Sequence, residues 1–150
     1  MLNHAEIARR IPHQGGMCLL DAVVSWLPDA LHARAVGHAL GDNPLRRDDR
    51  LDAVHGIEYA AQAMAVHGAL LADPDERGTP ARQGYLTSVR GVEMVVSRLD
   101  DLDGPLDVHV QRLSGDELNI LYGFELRHEN RVILQGRASV VLDAAALSSP

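Results

Sequence analysis

Apolar residues run through 56–72 almost without interruption, in the order GIEYAAQAMAVHGALLA, and Glu58 is the only charged side chain among them. A stretch of that length built from Ala, Leu, Ile, Val and Met predicts a helix with no solvent-facing stripe. After Gly84 the apolar period changes to two. The segments 84–99, 105–113, 118–128 and 131–143 alternate as half-buried strands, separated by DDLDG, SGDE and EN, which are hairpin-type turn residues. Four successive antiparallel strands follow from that pattern. Upstream, residues 17–26 read as a strand and 31–40 as another, with Leu31, Ala33 and Ala35 pointing inward. Residues 3–10 predict a short helix capped by Asn3, with Glu6 three residues on. IPHQGG, GDNPLRRDDR and ADPDERGTPARQG are the breaks, and AAALSSP reads as a frayed tail from about residue 143.

These elements predict an α+β fold in which an antiparallel sheet of five to six strands wraps around one long central helix, as a single domain over 1–150. A helix apolar all round needs the sheet on one side and a partner on the other. An open sheet also leaves edge strands to be covered, so the pattern predicts an oligomer.

Composition narrows the chemistry. The chain is 46% hydrophobic and only 3% aromatic, with 21 acids against 14 bases and a formal charge of −7, a poor profile for a nucleic-acid partner. The apolar helix is shorter than the roughly 20 residues a bilayer requires, so no membrane span is expected. Met1 is not followed by a basic and then an apolar segment, and Cys18 is the single cysteine, so the expected location is cytoplasmic without disulfides. All 14 basic residues are arginines. Without lysine, Schiff-base chemistry and a phosphate-loop lysine are excluded. G-x-S-x-G, G-x-G-x-x-G and H-E-x-x-H are missing, and the histidines do not pair with the cysteine at metal spacing. Carboxylates, histidines, hydroxyls and backbone dipoles remain.

An ionised carboxylate buried without partners costs several kcal/mol, so Glu58 must be paired, protonated or facing a pocket. Gln62 lies four residues after it and His55 three before, which puts all three on or near one stripe at the helix N-terminus. That end carries the positive pole of the helix dipole, and Gly56 would let a ligand approach the backbone. The plainer reading is a first-turn acid complementing the dipole. Such an acid normally faces water, however, and this one sits in an otherwise uncharged stretch.

In order, IPHQGGMCLLDAVV, GIEYAAQAMAVHGALL, GYLTSVRGVEM and GRASVVL resemble the hot-dog fold 3-hydroxyacyl-(acyl carrier protein) dehydratases of bacterial fatty-acid synthesis, the FabA/FabZ-like group. The likeness spans roughly Ile11 to Leu142 and is nearest to the branch found in aryl-polyene pigment biosynthesis. It implies a hot-dog dimer, an acyl-phosphopantetheine substrate on acyl carrier protein, no cofactor of the enzyme's own and no metal. It implies dehydration of a 3-hydroxyacyl thioester to the trans-2-enoyl thioester. Glu58 matches the catalytic acid of the group and Gln62 the glutamine supporting it. The group's upstream histidine has no counterpart: Pro44 stands fourteen residues before Glu58, and no histidine lies between Asn43 and Val54. His55 is the first candidate to replace it, then His13 or His38, then a histidine from a different subunit of a heterodimer. His67 reads as structural.

An acidic carrier protein prefers an arginine-lined entrance, for which Arg46, Arg47, Arg50, Arg82 and Arg90 are candidates. Two other activities fit the same features. A hot-dog thioesterase would use the helix carboxylate to activate water, and a non-catalytic subunit would complete a partner's dehydratase site.

Overall fold

The computed structural model describes residues 1–11, 15–77, 84–116 and 118–142. His13, Arg82 and the predicted tail lie outside them. Strands β1 (Leu2–Asn3), β2 (Ala22–Leu27), β3 (Ala30–Ala35), β4 (Gly84–Met94), β5 (Leu106–Gly115), β6 (Asn119–His128) and β7 (Arg131–Leu142) form one antiparallel sheet in the order β1-β2-β3-β5-β6-β7-β4. Helix α1 spans His4–Ala8 and helix α2 spans Gly56–Ala72, the bounds predicted for it. This is the hot-dog arrangement, with seven strands rather than five or six. The extra strand is the two-residue β1, too short to show a period.

Local chemistry fixes several elements. Asn3 and Glu6 form the predicted capping box, Glu6 N donating to Asn3 Oδ1 at 2.9 Å and Asn3 N to Glu6 Oε1 at 3.1 Å. Glu129 and Asn130 both hold positive φ, 51° and 63°, as the two-residue turn joining β6 to β7 requires. Two predictions need correction. Strand β4 does not pair with β5; it crosses to the far edge and pairs with β7, because turn composition says that a chain reverses but not which strand it meets. The second strand stops at Ala35 rather than continuing to residue 40, and residues Gly37–Ala39 form a tight 3-10 turn that buries His38.

The sheet curls around α2. Helix-facing Leu31, Ala33, Val108, Leu126 and Leu134 are buried and alternate with polar residues on the other face. Gly56 lies where the helix and sheet approach: a Cβ there would be 2.7 Å from Leu134 Cδ2 and 3.0 Å from Leu126 Cδ2. Within the helix, His67 is fully buried. Its Nε2 is 2.8 Å from the Leu27 carbonyl and its Nδ1 2.8 Å from the Tyr122 hydroxyl. A carbonyl only accepts, so Nε2 carries the proton and Nδ1 accepts from Tyr122. Burial lowers the imidazole pKa and pushes the Tyr122 hydroxyl up to about 12. His67 is structural, as its sequence context indicates.

Candidate active site

Glu58 lies in the first turn of α2, half-buried, and its Oε1 accepts from Gln62 Nε2 at 3.3 Å. Gln62 is fully buried and uses its whole carboxamide. Nε2 also donates to the Met17 carbonyl at 2.8 Å, and Oε1 accepts from Leu19 N at 2.8 Å. His4 Nε2 donates to the Cys18 carbonyl at 3.1 Å from the other side. Residues 17–19 are thus pinned between α1 and α2, beside the acid. The strand predicted over 17–26 begins only at Ala22, because these carbonyls and amides bond to side chains instead of a neighbouring strand. His4 has no sequence signal of its own; its role depends on where α1 docks.

His55 closes a 3-10 turn, Ala53–His55, that runs directly into α2. Its side chain is half-buried and makes no capping bond. Because of that lead-in, the Gly56 amide donates back to the Ala53 and Val54 carbonyls. The sheet packs against the position of Gly56's missing side chain, and its amide is used by this turn.

His38 is buried with Nε2 donating to the Leu102 carbonyl at 2.8 Å, and burial lowers its pKa. It is a packed histidine. Tyr59, one residue after Glu58, is also buried, and its hydroxyl accepts from Asn43 Nδ2 at 3.1 Å, tying the loop after β3 to the helix.

The segment RRDDR, where the resemblance places a histidine, is a compact turn. Asp48 and Asp49 both have positive φ, 52° and 58°, and Arg47 and Arg50 exchange backbone bonds at 2.8 and 2.9 Å. Arg46 holds the turn from within, donating to the carbonyls of Ala39, Leu40 and Asp49 at 3.4, 3.2 and 3.1 Å. Arg47 donates to the Pro44 and Arg46 carbonyls, and Arg50 pairs with Asp52. Below them Asp100 accepts from Leu51 N at 3.0 Å and pairs with Arg98, whose guanidinium holds the carboxyl far below the usual carboxylate range. Of the predicted arginines, Arg90 is exposed on β4 and makes no ion pair among the described residues. No group of His, Cys, Asp and Glu among the described residues is placed to hold a metal ion. No helix among them is long and apolar enough to cross a membrane.

A family model of the ApeP-like proteins, described as ApeP dehydratase, matches residues 5–148. The chain belongs to the ApeP-like dehydratases. It is a hot-dog dehydratase of the aryl-polyene branch. Among solved structures, the dehydratase heterocomplex ApeI:P from Xenorhabdus doucetiae is 22% identical, with a TM-score of 0.79 over 95% of this chain and 97% of that one. A mutant thioesterase from Pseudomonas aeruginosa is 10% identical with a TM-score of 0.65, covering 95% and 94%. A hypothetical thioesterase from Streptococcus pneumoniae, solved with coenzyme A, is 7% identical with a TM-score of 0.58, covering 81% and 84%. These likenesses show the shared fold. No curated protein matches the chain in sequence.

Proposed function

We propose that this ApeP-like dehydratase removes water from a 3-hydroxyacyl thioester carried on the phosphopantetheine arm of an acyl carrier protein. Carrying this reading is the lone carboxylate of α2, Glu58, held by Gln62 beside the positive end of the helix. A base takes the proton next to the thioester carbonyl. The electron pair moves to form the double bond, and Glu58 donates its proton to the departing hydroxyl, giving the trans-2-enoyl thioester and water. Gln62 acts through Glu58 and the 17–19 segment. His55, three residues before Glu58 and without a capping bond, is the proposed base, with His13 next. Side chains alone supply this chemistry, so no cofactor is called for.

The RRDDR turn favours a second arrangement, in which a partner dehydratase subunit supplies the histidine. Its place is filled by a turn whose arginines are tied to their own loop, and the similar ApeI:P structure is a heterocomplex. The half-exposed face of α2, with Ala61, Ala65 and Gly68 beside Glu58, is where such a partner would seat. Exposed Arg47 is the proposed contact for the acidic carrier, with Arg46 as the internal strut of its turn.

The test gives the purified protein a 3-hydroxyacyl thioester on carrier protein and follows the product by mass spectrometry, alone and with a histidine-bearing partner subunit. Enoyl thioester lost in Glu58→Gln supports the reading, and loss also in His55→Ala supports a self-sufficient site. Turnover only with the partner supports the shared site. Free acyl acid as the product would make the chain a thioesterase.

A further inference from the structure

The sheet face turned away from α2 carries a polar row that crosses six strands. In register, Ser25 lies beside His32, His32 beside His109, His109 beside Glu125, Glu125 beside Gln135, and Gln135 beside Glu93. All six line one cavity of about 750 Å3. The His32 and His109 rings stack at 4.2 Å. Much of the charge on this face is matched within it. Asp107 takes His32 Nε2 at 2.7 Å and Arg34 Nε at 3.2 Å, and Glu125 takes Arg127 Nε at 2.8 Å.

One row over, the register runs Gln111, Gly123, Arg137, Arg90. Arg137 lines the cavity and stands directly opposite Arg90, and neither makes an ion pair or a side-chain hydrogen bond among the described residues. Like charges directly opposite on neighbouring strands are destabilising, and no described residue is paired with either, although Glu93 and Glu125 line the same cavity. Beside Arg137, Gly123 leaves a shallow recess edged by the Leu113 side chain, whose Cδ1 would lie 3.5 Å from a Cβ there.

We propose that this recess binds the phosphate group of a small phosphomonoester, gripped by Arg137 and Arg90 from adjacent strands. Two guanidinium forks match a tetrahedral dianion with three free oxygens, whereas one fork already saturates a carboxylate. The cavity volume is in the range of roughly 300–1,000 Å3 common for small-molecule sites. Gln111, Gln135 and the two imidazoles offer polar contacts to the rest of the ligand. The site lies on the opposite face of the sheet from Glu58 and does not depend on the dehydration reading.

The test titrates the intact protein, with any partner subunit that co-purifies, at constant ionic strength. The probes are inorganic phosphate, glycerol phosphate, dimethyl phosphate as a monoanionic diester, and acetate, followed by the arginine Nε–H signals in NMR. The expected result is a saturable shift of the Arg137 and Arg90 signals with the first two and at least tenfold weaker effects of the diester and acetate. Arg137→Gln weakens phosphate binding at least tenfold. Gly123→Leu, which fills the recess and keeps both arginines, does the same while the far-ultraviolet circular dichroism is unchanged. A non-saturating shift, equal response to acetate, a preference for the diester, or undiminished affinity in either variant overturns the proposal.

Discussion

Gln62 Nε2 donates to Glu58 Oε1 at 3.3 Å while the same carboxamide holds Met17 and Leu19. One buried side chain thereby ties the acid to the segment beside it. Replacing Glu58 with glutamine keeps the shape and removes the proton, so dehydration should fall by at least about 100-fold with the melting temperature nearly unchanged. Equal activity in Glu58→Gln would remove this residue from the chemistry.

Gln62→Ala should do two things at once. Leu19 N and the Met17 carbonyl lose their partners, which costs roughly 1–3 kcal/mol for each buried group left unsatisfied. The acid loses its Gln62 donor as well, so kcat should fall even at temperatures where the variant is fully folded. Urea unfolding and steady-state kinetics on one preparation separate the two effects.

Gly56→Val tests the seat of the helix. The new Cβ meets Leu134 and Leu126, both fully buried. Overpacking of this kind costs about 1–3 kcal/mol, read as a lower urea midpoint at unchanged slope.

Stability should fall as the pH drops from 7 toward 5. Burial lowers the pKa values of His38 and His67, so below their ordinary value near 6.5 the unfolded chain binds protons that the folded chain refuses. Stability therefore rises with pH across that window and is lost as pH falls through the unfolded value, at up to about 1.4 kcal/mol per pH unit for each histidine. Asp100, held far below the usual carboxylate range by Arg98, contributes above its unfolded value near 3.8 and leaves this window flat. His67→Phe should reduce the slope between pH 7 and 5 while lowering stability at pH 7, because Tyr122 and the Leu27 carbonyl lose their partner.

Arg46 and Arg47 are adjacent yet should respond differently. Arg46→Ala removes the donor to three carbonyls of its loop and should speed hydrogen exchange over 39–50. Arg47→Ala, exposed, should change stability by no more than about 0.5 kcal/mol and register instead in carrier affinity at low salt.

Local signals in the sequence were faithful for the long helix, its short capped neighbour and the last hairpin turn, and less so for the ends of the first two long strands. The helix over 56–72, the Asn3–Glu6 capping box and the turn at Glu129–Asn130 each rest on neighbours in the chain. What the sequence could not carry was pairing. The position of β4 beside β7 is set by which edge remains open after β5, β6 and β7 associate, and the two residues of β1 pair only because α1 docks next to them. In the candidate site, Glu58 and Gln62 were legible as polar interruptions of an apolar run. Arg46 was not legible as a strut, since an arginine among arginines looks the same whether it faces water or its own backbone. The cavity on the outer face was written in the alternation of His32, His109 and Glu125, but its register across three strands exists only once the sheet has formed.

The residues around Glu58 come from the first half of the chain, yet the turn that presents them rests on Leu126 and Leu134, which belong to the last two strands. During synthesis, His4, Glu58 and Gln62 leave the ribosome long before the surface that fixes them has been made. The acid therefore takes up its working position only near the end of translation, and a chain truncated before β6 has every residue of the 4–62 cluster but no floor beneath it.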